Sequence, residues 1–223
     1  MNSGSLGDML RFLRGINDRD WGRYAFSFDL LRGRVPLPLQ DEMTQKAIAC
    51  GEEWAWRMMA QTGASGPDSM CKALGLVPAE IEGSMINSSR PLFAQFVPDR
   101  RIEIMKEPID IYSSLYQEES GSDAMLFPTP AEVRGLLLSH EIFHYVEERN
   151  AKEIYTRTET IRLWKLLFID WKSTVRAVSE IAAMSFAKAL AHTGYSPFIL
   201  DFLLLYGYSK EKAERVFQRI AKP

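Results

Sequence analysis

Leu136–Val146, the run L-L-L-S-H-E-I-F-H-Y-V, carries His140, Glu141 and His144 in an otherwise apolar surround. On a helix, residues four apart stack on one face, so both imidazoles can point at one ion. The H-E-x-x-H pattern has zinc spacing: two neutral nitrogen ligands, with Glu141 between them placed to take a proton from water activated at the metal. Leu136, Leu137, Leu138, Ile142, Phe143, Tyr145 and Val146 leave the segment no polar side, and a helix apolar all round is buried. Burying a carboxylate beside two imidazoles is costly without compensation, which a bound cation supplies. The helix start is also specified, because Thr129, Pro130 and Glu132 fit the N-cap, first and third positions of a capping box. Its end is expected near Arg149 and Asn150, after the acidic pair Glu147 and Glu148.

The 223 residues are enough to bury one sizeable core. With 46% hydrophobic and 25% charged residues the composition is that of a globular protein. A formal net charge of −2 gives no general attraction to nucleic acid or to an anionic membrane. No apolar stretch is long enough to span a bilayer, and the N-terminus lacks the charged, apolar and small-residue regions of a signal peptide. A cytoplasmic location is therefore expected, with Cys50 and Cys71 as thiols.

Upstream of the motif, Gln40 to Gln61 has helical patterning, and Asp68 or Ser69 can cap a short helix that stops at Gly75. The stretch from Ala60 to Ile81 follows a helix-turn-helix rhythm, but it offers only Lys72 against Asp68 and Glu80. A DNA reader needs cations against phosphate, so no direct nucleic-acid binding is expected. Phe93–Val97, Arg101–Met105 and the alternating Ile109–Leu115 read as a small, partly antiparallel sheet of about three strands. Downstream, Tyr155 to Leu166 fits either a helix capped by Thr156 or an extended segment, the latter favoured by its threonines. Ser173 to His192 carries a helical stripe, with Gly194 as a stop. Two more helices are expected, from Pro197 with Ser196 as cap and from Lys210 with Ser209 as cap. This gives a mainly helical α+β protein, with residues 1–90 as a helical extension and 91–223 as the core.

A catalytic zinc site usually has three protein ligands and an open position. Glu148 lies two turns beyond His140 on the same helix, too far for short metal bonds. Glu180 and His192 would sit about 18 Å apart on one helix, so one site cannot use both. His192, in a last turn where the dipole favours an imidazolium, reads better as a C-terminal cap than as a ligand.

H-E-I-F-H followed by E-I-A-A-M-S-F-A-K-A-L (Glu180–Leu190) resembles the gluzincin metallopeptidases, and its E-x-x-A-x-x-F-A-x-x-L rhythm resembles the compact ImmA/IrrE-like members. The resemblance covers roughly Phe93 to Leu190. It departs from the family in the long connection between His144 and Glu180, and the chain after Leu190 does not follow the usual ending. It implies a zincin-like fold, with a small sheet packed on the H-E-x-x-H helix and a second helix bearing the third ligand. His140, His144 and Glu180 then match the zinc ligands and Glu141 the general base.

The function expected from these readings is zinc-dependent hydrolysis of a peptide bond, with Tyr145, Tyr155, Arg157 and His192 as candidate donors to the oxyanion. The substrate would be a peptide or protein, and the resemblance puts a transcriptional repressor among the implied partners. The alternative is a metal-bearing regulatory or binding protein whose site is structural or conditionally active. Hydrolysis of a non-peptide amide or ester uses the same chemistry.

Overall fold

The structure, a computed structural model, describes residues 5–82, 93–97, 100–166 and 169–221, with backbone alone at 122, 163–166 and 169–171. Four helices come first: α1 (Leu6–Arg14), α2 (Asp18–Phe26), the long α3 (Leu37–Thr62) and α4 (Pro67–Leu74). Then come β1 (Val77–Ile81), β2 (Ala94–Val97), β3 (Arg101–Met105), α5 (Lys106–Glu119) and the motif helix α6 (Pro130–Arg149). A single helical turn, α7 (Tyr155–Thr158), precedes the strand pair β4 (Ile161–Leu166) and β5 (Ile169–Ser173). The chain closes with α8 (Arg176–Leu190), α9 (Ile199–Tyr208) and α10 (Lys210–Ala221). Helices dominate and the larger sheet has three strands, so the α+β class holds. Among the described residues no helix is long and apolar enough to cross a membrane.

The capping box expected for α6 is formed: Thr129 Oγ1 accepts from the Glu132 amide at 3.2 Å, and Glu132 Oε2 accepts from the Thr129 amide at 2.7 Å. The helix ends at Arg149 with Asn150 as cap, as its composition predicts. Gly75 closes α4 at φ 65°, a left-handed conformation glycine adopts without strain. Ser209 Oγ accepts from the Lys212 amide at the start of α10.

The sheet differs from expectation in its third strand. Its order is β1-β3-β2, with β1 parallel and β2 antiparallel to β3. The segment Ile109–Leu115 is not a strand but lies within α5. Its alternation of isoleucine with aspartate misleads, because the buried side chains are Pro108, Tyr112 and Leu115, spaced by four and three. Pro108 sits in the first turn, where its missing N–H costs no hydrogen bond. The third strand comes instead from Val77–Ile81, so α4 is followed by a strand and the helix-turn-helix rhythm is not realised. The connection through Pro98 and Asp99 lies outside the described residues.

Three smaller differences lie downstream. Tyr155–Thr158 is one helical turn, and extended structure starts only at Ile161. The left-handed residue after α8 is His192, at φ 55°, and not Gly194. The helix expected from Pro197 under a Ser196 cap begins at Ile199, with Phe198 at the N-cap and no side-chain cap.

Residues on both sides of position 90 share one sheet and one apolar core, which runs from Leu6 in α1 to Ile220 in α10. At its centre α8 lies between α3 and α6. The α3–α8 approach is backbone-close: a Cβ placed on Gly51 would fall 2.2 Å from the Ala182 carbonyl oxygen and 2.8 Å from the Phe186 nitrogen. Cys50 and Cys71 are buried free thiols, pushed by burial up to about 11 and about 12. Gly51→Ala should therefore force the two helices apart and destabilise the fold by about 1–3 kcal/mol. Gly33→Ala, where a Cβ meets nothing within 4 Å, should leave thermal unfolding within about 0.5 kcal/mol of the parent. Equal melting temperatures for the two variants would count against this packing.

Candidate metal centre

Helical spacing brings the two imidazoles of α6 together. His140 Nε2 and His144 Nε2 lie 3.0 Å apart, with ring centroids 4.7 Å apart. Glu180 arrives from α8, its Oε2 3.6 Å from His140 Nε2. Three potential ligand atoms, one from each residue, lie within 4.8 Å of one another.

Two contacts fix where α8 delivers Glu180. The Phe143 and Phe186 rings pack 5.6 Å apart and join α6 to α8. At the first turn of α8, the Ala177 amide donates to the buried Asp29 Oδ2 at 2.7 Å, a cap supplied from 148 residues away. Arg176 Nε then donates to Glu180 Oε1 at 3.2 Å, leaving Oε2 on the side of the imidazoles.

The donor set suits a small divalent cation. Two ligand atoms about 2.0–2.2 Å from a tetrahedral zinc lie roughly 3.3–3.6 Å from each other. The 3.0 and 3.6 Å separations bracket that spacing. At that separation at least one of the two Nε2 atoms is unprotonated and so presents a lone pair, as a metal ligand must. His, His and Glu are also the zinc ligands of several hydrolytic sites.

Glu141 lies on the same helix but is held differently. Its Oε2 accepts from the Phe96 amide of β2 at 2.7 Å. Burial pushes its carboxyl above the ordinary range and Glu180 adds to that, while the His144 charge and the Phe96 N–H oppose it. A raised carboxyl beside these imidazoles is suited to holding a proton in transit.

These groups line a cleft of about 470 Å³. Leu136, Leu137, Met184 and Leu200 supply apolar wall, whereas Glu148, Arg157 and Arg176 bring charge. His140, Glu141 and His144 are thus brought to one cleft, as the motif reading expects, together with Glu180, which the resemblance implied. Glu148 also lines it, but outside the ligand cluster. Of the four candidate oxyanion donors, Arg157 alone is among the lining residues; Tyr145 packs edge-on to Phe96 at 5.5 Å. His192 lies elsewhere, with Nε2 3.3 Å from the Ser65 carbonyl and its ring near Trp56.

Sequence reading missed two partners. The Phe96 amide is main chain and has no side-chain signal. Glu147 is 1% exposed, with Oε2 3.4 Å from His144 Nδ1 and 3.0 Å from an Arg157 nitrogen. Burial would raise its carboxyl, but the hydrogen bond with His144 and the hydroxyls of Thr156 and Ser179 hold it down at about 2. His144 shows the reciprocal effect: burial would lower its imidazole, but Glu147 and the carboxylates of Glu141 and Glu180 raise it. The only hint of Glu147's place was its position one turn after His144.

No protein-family model, curated protein or solved structure matches the chain.

Glu180→Ala should weaken zinc binding by more than 100-fold, beyond the roughly 10–100-fold cost of losing an outer partner. His192→Ala should leave it unchanged. Competition against a chromophoric chelator measures both, and native affinity in Glu180→Ala would remove Glu180 from the ligand set.

Proposed function

We propose that the chain is a zinc-dependent hydrolase that cleaves a peptide bond, with a zincin-like arrangement of the gluzincin, ImmA/IrrE-like kind. The observation that carries this reading is the convergence of His140, His144 and Glu180 while Glu141, on the same helix, is held apart from them by the Phe96 amide. Three ligands leave an open position at a tetrahedral zinc, the feature that separates catalytic from closed structural sites.

His140, His144 and Glu180 would hold a zinc ion, which would supply Lewis acidity toward water and the scissile carbonyl. Glu141 then accepts the proton of the attacking water and delivers it to the departing amine. The Phe96 N–H keeps one oxygen of that carboxylate fixed and leaves the other outside this hydrogen bond. Arg157, the one of the four candidate donors that lines the cleft, would stabilise charge developing on the carbonyl oxygen. Among the described residues β2 is terminal in its sheet, and Ala94 shares the edge that Phe96 turns toward α6. An extended peptide can pair with that edge through main-chain hydrogen bonds.

A protein substrate, a repressor among them, is consistent with the cleft, and the cytoplasmic location remains part of the proposal. Glu141→Gln should keep zinc at native stoichiometry while hydrolysis of a peptide library falls about 10²–10⁴-fold, read by mass spectrometry. Undiminished cleavage by that variant would overturn the role given to Glu141. Retained zinc with no cleavage by the native chain would favour the regulatory reading.

A further inference from the structure

Neither the ligand set nor the proton transfer uses Glu147, and unlike the exposed Glu148 beside it, it is almost wholly buried. It sits where three helices meet. One turn beyond His144 on α6, it receives Arg157 from α7, and Ser179 of α8 lies beside it next to Glu180. A lone carboxylate there would be strongly destabilising, so its retention calls for partners that need its charge.

The geometry of His144 identifies that need. Its Nε2 faces His140 Nε2 at 3.0 Å, which turns Nδ1 to the opposite side of the ring, where Glu147 Oε2 lies 3.4 Å away. We propose that Glu147 is a positioning residue for the metal centre: it accepts the Nδ1 proton of His144, fixes the tautomer that presents Nε2 to the ion, and is held in place by Arg157. An imidazole whose far nitrogen donates to a carboxylate is both oriented and made a better electron donor. Arg157, paired through the same oxygen, keeps that carboxylate aligned at the wall of the cleft. A chain from cleft to metal therefore runs Arg157, Glu147, His144. This assignment rests on the metal-centre reading and adds to it the residue that shapes the ligand.

The test uses the full chain loaded with zinc, and with cobalt as a spectroscopic probe. Glu147→Ala should weaken zinc binding about 10–100-fold and shift the cobalt absorption bands. Glu147→Gln, which keeps a carbonyl acceptor but not the charge, should recover part of that loss. A merely structural role for Glu147 would lower the melting temperature of the metal-free chain while the folded fraction bound zinc normally. A folded Glu147→Ala protein within threefold of native affinity overturns the assignment. Should the alanine variant not fold, the native zinc form decides by long-range proton–nitrogen NMR. His144 must then carry its proton on Nδ1 with slow exchange, and a proton on Nε2 or a rapidly exchanging Nδ1 overturns the assignment. If the native chain takes up no zinc, the metal-centre reading fails and takes this one with it; uptake with unaltered affinity in Glu147→Ala removes only the role of Glu147.

Discussion

Burying charge inside an apolar helix is the constraint on which this structure depends. Helix α6 carries two imidazoles and the carboxylates of Glu141 and Glu147 through a stretch whose other side chains include fully buried Leu138, Ile142 and Phe143. An ion left uncompensated in such surroundings costs several kcal/mol. Each charge is accordingly met by a specific partner: Glu141 by the Phe96 amide, Glu147 by His144 and Arg157, and Glu180 by Arg176 and the His140 ring. The partners come from β2, α7 and α8, so the same contacts that make the burial tolerable also tie separate parts of the fold to the motif helix. The centre and the fold are stabilised by one set of interactions.

The position of α8 follows from packing on its other side. Gly51 on α3 lets the backbone of α8 approach so closely that any added side chain meets the Ala182 carbonyl. Ser185 adds a hydrogen bond to the Ile48 carbonyl at 2.9 Å. With one face pinned to α3 and Phe186 packed on Phe143, α8 has little freedom to slide, and Glu180 is carried to the imidazoles by rigid elements on both sides. The N-terminal helices are therefore part of what places Glu180, although none of their side chains lines the cleft among the described residues. Rigid support of this kind is what a site with tight distance requirements needs.

Some of this was legible in residue order and some was not. The capping box at Thr129 and Glu132, the end of α6 near Asn150 and the pairing of His140 with His144 all depend on neighbours within about one helical turn, and each is found as read. Ile109–Leu115 was misread because two isoleucines flanking Asp110 imitate a strand, whereas the burial of Tyr112 and Leu115 is helical. The true third strand, Val77–Ile81, contains Pro78 and is mostly half-exposed, so it gave little hydrophobic alternation to detect. His192 was set apart from the ligand candidates by helix geometry together with its place in a last turn, and it lies beside Ser65.

Short-range spacing was thus sufficient for the motif helix, its limits and the two imidazoles with Glu141 between them, because an α-helix converts a separation of four residues into a shared face regardless of what surrounds it. The resemblance pointed to Glu180 but had no means of placing it. Its distance from the imidazoles, the amide that holds Glu141, the Asp29 cap on α8 and the meeting of Glu147 with Arg157 arise from packing between elements remote in the chain. Such contacts have no period in sequence; they exist only once close helix packing at Gly51 and the short strands of the sheet have brought their backbones together.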